Sequence, residues 1–148
     1  MLLHVSSKTQ TVELRDADRV LWTAPISTSQ FGLGEEPNSF KTPRGRHHIA
    51  EKIGDGAPLN AIFESRQFTG RIWDGHSRDG DLILTRILWL AGDEPSNQTT
   101  HDRYIYFHGT NHEDTIGTPG SHGCVRLKNA DMLTLFERVT QGTSVYIE

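Results

Sequence analysis

Only one stretch of this chain repeats its apolar residues at helical spacing. Met132, Leu133, Leu135, Phe136 and Val139 form one face of a helix, with Asn129 placed to N-cap it and Gly142 to stop it. The remaining apolar residues come in short runs separated by turn residues, a pattern that only strands satisfy. Thr11 to Arg15 alternates, Asp16-Ala17-Asp18 turns, and Arg19 to Trp22 resumes, which predicts a hairpin. Thr42-Pro43-Arg44-Gly45 is a turn leading into a strand over 46–53. Asp81 to Leu90 is apolar on both faces and predicts a buried central strand. Arg86 interrupts it and would need an internal carboxylate, a ligand's carboxylate, or an edge position for the strand. Residues 103–108 read as a strand with Tyr104, Tyr106 and His108 on one face, and 143–147 as the last strand. Residues 59–73 fit neither period, and 27–41 make a long loop of the mobile or functional kind. The expected fold is mainly β and sandwich-like, one domain over residues 1–148, with one helix packed on it.

Charge and composition remove whole classes of function. Net charge is −4 and the Lys and Arg residues are scattered, so the basic stripe of a nucleic-acid binder is missing. A single cysteine cannot form an internal disulfide. The longest apolar run, around 82–91, is broken by Thr85 and Arg86 and is too short to span a bilayer, so no membrane partner is expected. Met1 to Ser7 lacks the basic start and apolar segment of a secretory signal. The expectation is a soluble cytoplasmic protein, or a periplasmic or cell-wall one should a leader precede these residues.

The chemistry concentrates in Gly117-Thr118-Pro119-Gly120-Ser121-His122-Gly123-Cys124-Val125-Arg126-Leu127, which holds the only cysteine. A cysteine kept for packing sits among aliphatic side chains, whereas this one is flanked by Gly, Pro, His and Arg. A free thiol is only a few per cent ionised near neutral pH, so a nucleophile here needs a base. His108, at the end of its predicted strand and sixteen residues upstream, is held in one orientation by a rigid element and suits that role. His122, two residues from Cys124, can brace the loop or donate to a bound carbonyl. Gly123 and Cys124 can turn consecutive N–H groups toward one oxyanion, and Arg126 offers a planar fork to a carboxylate. This set predicts acyl transfer through a thioester.

Two readings of other classes stand beside it. His108, His112, His122 and Cys124 supply four N and S donors that could hold zinc. A catalytically silent binding domain could keep the same loop as a connector, with Arg126 a solvated surface charge.

The motif Ser121-His122-Gly123-Cys124-Val125-Arg126-Leu127, preceded by His108-Gly109-Thr110 and Ile116-Gly117, resembles the active-site signature of the L,D-transpeptidase catalytic domain of YkuD type. Thr42-Pro43-Arg44-Gly45 is similar to that family's T-P-x-G turn. The resemblance implies Cys124 as nucleophile, His108 as its base, and the Gly109 carbonyl as the group that orients the His108 ring. Ser121, His122, Gly123 and Arg126 would line the acyl pocket. It implies no cofactor and no metal. The substrate would be peptidoglycan tetrapeptide stems or soluble muropeptides, cut before the terminal D-alanine. Water would resolve the thioester in an L,D-carboxypeptidase of peptidoglycan recycling, an acceptor stem in a cross-linking transpeptidase. β-Lactams of the carbapenem type would acylate the same thiol.

Overall fold

The computed structural model describes residues 1–148. Its first strands, β1 (Leu2–Ser6), β2 (Thr11–Asp16) and β3 (Arg19–Pro25), form a meander whose second half is the expected hairpin, with Ala17 at a left-handed φ of 51° in the β2–β3 turn. Leu3, Val5, Val12 and Leu14 are buried while the residues between them are not, so one face is covered and the other wet. Then come β4 (Gly45–Ile53), the hairpin β5 (Ala61–Glu64) and β6 (Gln67–Ile72), β7 (Ile83–Gly92), β8 (Tyr106–Gly109), β9 (Val125–Leu127), α1 (Asn129–Arg138) and β10 (Ser144–Ile147). Residues 59–73, which fitted neither period, are mostly that hairpin. Its outer strand is largely exposed and so carries little apolar alternation to read.

The sheet runs β3-β2-β1-β10-β4-β7-β5-β6, with β8 paired to β7 and β9. The last strand therefore sits inside the sheet, parallel to β1 and antiparallel to β4. β7 is the branch point. Leu84 faces both Ile62 of β5 and Gly109 of β8, and Ile87 faces both Ile53 of β4 and His108 of β8. A residue has two hydrogen-bonding edges, so β4 and β5 share one side of β7 and β8 takes the other. α1 packs against β7 and β8, closing a core of nineteen residues that includes Leu88, Leu90, Phe107, Val125, Met132 and Leu135. The architecture is mainly β with a single α-helix, as expected.

Three local readings are corrected. The strand expected over 103–108 begins only at Tyr106, because Arg103 and Tyr104 close turns onto Thr99 and His101 and Tyr104 takes a φ of +58°. Tyr104 consequently does not continue the face of Tyr106 and His108. Arg86 is buried in a strand that is not an edge, yet it meets no carboxylate: its Nη1 donates to the carbonyls of Ala57 and Thr85, and its guanidinium lies 5.4 Å from the Phe136 ring.

Asn129 is the first residue of α1 and not its cap. The Glu113 carboxylate, from a neighbouring turn, accepts the Asn129 N–H at 2.8 Å. The Asn129 side chain instead joins three segments. Its Oδ1 accepts from Thr85, at the irregularity where β7 leaves register with β8, and its Nδ2 donates to the Thr110 carbonyl and to Glu113. Replacing Asn129 with Ala would leave the buried Thr85 hydroxyl and Thr110 carbonyl short of partners, at a cost of roughly 3 kcal/mol. Thermal denaturation of Asn129→Ala is expected to show a midpoint about 6–12 °C below the parent.

Candidate active site

β8 and β9 run parallel with Phe107 opposite Val125, His108 opposite Arg126 and Gly109 opposite Leu127. Directly opposed residues point to the same face and alternate along the strand. Phe107, Val125 and Leu127 therefore enter the core. Tyr106, His108 and Arg126 face the other way, together with Cys124, one residue before β9. Cys124 lies level with Tyr106, whose N–H reaches Sγ at 3.4 Å. The thiol in turn donates to the Tyr104 carbonyl at 3.4 Å. His108 stands two residues farther along that face, about 6.6 Å up the strand.

The loop that carries the thiol is held by hydroxyls. Ser121 is buried; its Oγ donates to the Cys124 carbonyl at 2.6 Å and accepts the Gly123 N–H at 3.2 Å. Thr42, of the T-P-R-G turn, donates to the Gly123 carbonyl at 2.9 Å and accepts the Ser29 N–H. Gly123 has φ +128°, and a Cβ there would come within 3.1 Å of Ile105. Of the two N–H groups expected to converge on an oxyanion, the Gly123 N–H is thus taken by Ser121, while the Cys124 N–H has no acceptor in the protein. The long loop 27–41 is pinned at its start, where Ser27 pairs with Arg126 and Ser29 with Ser121.

His108 is buried and its Nδ1 donates to its neighbour's carbonyl, Gly109 O, at 2.5 Å. A carbonyl can only accept, so Nδ1 carries the proton and the neutral ring keeps its lone pair on Nε2. Burial pushes the imidazole below its ordinary pKa, opposed by the charge of Asp81 and by the Gly109 bond. Burial likewise pushes the Cys124 thiol up to about 11, with the Tyr106 N–H opposing and the Asp81 charge adding to the rise. Thiol and imidazole are both neutral at pH 7.

Arg126 is not solvated. It is 4% exposed, and its Nη2 lies 2.7 Å from Asp81 while Nη1 donates to the Gly120 carbonyl. Its fork is therefore already engaged by an internal carboxylate, and only Nε is without a partner. Burial alone would raise the Asp81 carboxyl, but His108, Arg126 and His122 together bring it below its ordinary value. His122 is exposed, 3.8 Å from Asp81, with its ring against Phe31 and Phe40. His112 meets the Gly80 carbonyl through Nε2 and lines a cavity with Asp81, His122 and Arg126. No three His, Cys, Asp or Glu side chains converge as a metal-holding set, so the four donors considered for zinc do not meet.

Asp81 is the residue that sequence reading passed over. It follows Gly80 in a run that looks like any turn, and its contacts with Arg126 and His122 cross more than forty residues. Its one signal is position: it opens the apolar run expected as the central strand, two residues before β7, which pairs with the strand carrying His108.

Residues 1–147 match the family described as YkuD, the L,D-transpeptidase catalytic domain. The protein YqjB of Bacillus subtilis (strain 168), which bears the L,D-transpeptidase name, is 40% identical over 106 residues, 72% of this chain and 51% of that one. A solved L,D-transpeptidase from Mycobacterium smegmatis aligns with 99% of this chain and 58% of its own at a TM-score of 0.63 and 18% identity. The L,D-transpeptidase LdtMt1, solved in complex with imipenem, aligns over 99% and 58% at 0.59 and 22%. The two structural likenesses are of fold. The chain spans little more than half the length of these relatives.

The charge of Asp81 raises both the His108 and the Cys124 pKa, so neutralising it should lower both. In Asp81→Asn, imidazole NMR is expected to show His108 titrating below its parent value, and thiolate absorbance to rise at lower pH than the parent's midpoint near 11. Removing the charged partner of a buried guanidinium should also cost roughly 1.5–3 kcal/mol in denaturant unfolding.

Proposed function

Because the chain belongs to the L,D-transpeptidase catalytic-domain family, we propose that it is a cysteine acyl-transfer enzyme acting on peptidoglycan tetrapeptide stems. Cys124 is the nucleophile, His108 its base, and the bond broken is the L,D-peptide bond before the terminal D-alanine. The observation that supports these roles most directly is the shared face of β8 and β9. The thiol and a neutral imidazole lie on one face, and the Gly109 carbonyl fixes the imidazole tautomer that leaves Nε2 free.

A thiol titrating near 11 is ionised in roughly one molecule in ten thousand at pH 7, so attack requires a base and not a standing thiolate. The thiol turns from the Tyr104 carbonyl and gives its proton to His108 Nε2 as sulfur bonds to the scissile carbonyl carbon. The Cys124 N–H, without a protein acceptor, stabilises the oxyanion; such a donor contributes ~10²–10³ in rate. Collapse breaks the C–N bond, His108 returns the proton to the departing nitrogen, and D-alanine leaves a thioester. Water resolves it to a tripeptide, or an acceptor amine to a cross-link, with His108 taking the proton of the incoming group in either case. Ser121 holds Gly123 and Cys124 in place for each step, while Arg126 and Asp81 present a charged wall beside them. The thiol is the natural target of a carbapenem, whose strained ring opens by the same attack.

The test is disaccharide-tetrapeptide incubated with and without an acceptor stem, products read by mass spectrometry. Tripeptide alone means hydrolysis; a dimer means cross-linking; neither, with no imipenem adduct on Cys124, overturns the enzyme reading in favour of a catalytically silent domain that binds peptidoglycan fragments. Cys124→Ala is expected to abolish D-alanine release and the adduct, and His108→Ala to slow release by about 10²–10⁴. Since the base must be neutral and burial lowers its pKa, the acid limb of kcat/KM should fall below the ordinary histidine value of about 6.5. A limb at or above that value would remove His108 from the role.

A further inference from the structure

A groove of about 410 Å³ opens beside the thiol loop, and no step above uses it. His122 is one wall, and Phe40 and Tyr104 are the flanks. Both flanking rings are more than half exposed, 55% and 53%, although large aromatic side chains are ordinarily drawn inward. Both hang from left-handed backbone, φ +60° and +58°, with Asn38 beside them at +62°. Residues of this bulk rarely adopt such conformations, which cluster where a surface is built for a ligand.

The rim indicates which ligand. Arg103 lines the groove, but its guanidinium donates to the Gly34 carbonyl, the Ser39 hydroxyl and the Lys41 carbonyl, so it offers no open fork. Asn38 and Asp102 are exposed and their side chains make no hydrogen bond within the chain, leaving one amide and one carboxylate unpartnered. A stem peptide rich in carboxylates would find no free cation here and one like charge. A neutral ring with apolar C–H faces and hydroxyl and acetamido groups on its edge fits: the rings take the faces, and Asp102 and Asn38 accept the edge donors. The cavity on the other side of His122, lined by Arg78, Asp81, His112 and Arg126, is charged and suits the ionic end of the stem.

We propose that the Phe40–Tyr104 groove binds an N-acetylhexosamine of the glycan, so that the protein favours stems still attached to sugar. This rests on the peptidoglycan reading above. Three stem residues separate the sugar from the bond broken, about 10–11 Å of extended chain. The groove is within that reach, because Tyr104 both flanks it and accepts the thiol.

The probe is N,N′-diacetylchitobiose, neutral and free of peptide, added at about 10 mM to Cys124→Ala, ten times a ~1 mM dissociation constant. Amide shifts in ¹H–¹⁵N spectra are expected at 37–40 and 102–105; no shifts, or shifts confined to another face, overturn the proposal. In the parent, kcat/KM for disaccharide-tetrapeptide should exceed that for free tetrapeptide by about tenfold, the worth of roughly one stacked ring, and Phe40→Ala should bring the ratio within about twofold of one. A parent ratio near one also overturns it. Should Phe40→Ala lose its fold by circular dichroism, Asp102→Ala, at an exposed side chain, carries the same comparison. D-alanine release with no sugar binding sinks the groove alone; sugar binding with no release sinks the proposed chemistry alone.

Discussion

The three-residue parallel pairing of β8 with β9 is what the site depends on. A slip of one residue would send His108 or Cys124 into the core and bring Phe107 or Val125 out. So short a ladder cannot hold its own register, and its neighbours do it. β8 is fixed on its other edge by β7, α1 packs on both, and the Arg126 backbone exchanges two hydrogen bonds with Ser27. Three alternate residues, Phe107, Val125 and Leu127, are wholly buried, so a slip would expose them, and each is worth roughly 1.5–3 kcal/mol when buried.

Burial then sets the protonation state on the opposite face. The same exclusion of water that raises the thiol lowers the imidazole, which keeps proton and lone pair on separate neutral groups. Asp81 and Arg126 act on both groups with opposite sign, and their mutual ion pair leaves desolvation as the largest influence on each. A thiolate–imidazolium pair in this setting would have to form in an environment that disfavours both charges. In the reaction proposed above, the same setting favours proton transfer concerted with attack, the negative charge passing on to an oxygen beside the Cys124 N–H.

Much of this was legible along the chain, and the boundary is physical. The β2–β3 hairpin, the central strand and the helix are local patterns of burial, and alternation or helical spacing reports them directly. Cys124 and His108 stood out because each lies at the edge of such a pattern, with glycine beside it. Asp81, the engagement of Arg126 by an internal carboxylate and the capping of α1 by Glu113 are different in kind. Each is a contact between residues at least sixteen apart, made only once β7, β8 and β9 lie side by side, and a single polar residue in a turn carries no period. Asn129 shows the contrast: its composition suited a cap, but the demand of Thr85 and Thr110 for partners in a buried junction outweighed it.

Tyr104 shows why the strand starts late. Had residues 103–108 been one continuous strand, the Tyr104 ring would lie on the face of Tyr106 and His108, and its carbonyl would point along the ladder. The left-handed turn separates the two: the carbonyl meets Sγ while the ring stands at the groove. That conformation is unfavourable for tyrosine and needs outside support. Arg66, at the tip of the β5–β6 hairpin, lies 5.1 Å from the Tyr104 ring and 5.0 Å from Trp89, and donates to the Tyr106 hydroxyl. Arg103, the preceding residue, is tied to the 34–41 segment by three hydrogen bonds. Two arginines from separate parts of the chain thus hold one strained residue, and through it they fix the resting thiol and the flank of the groove together.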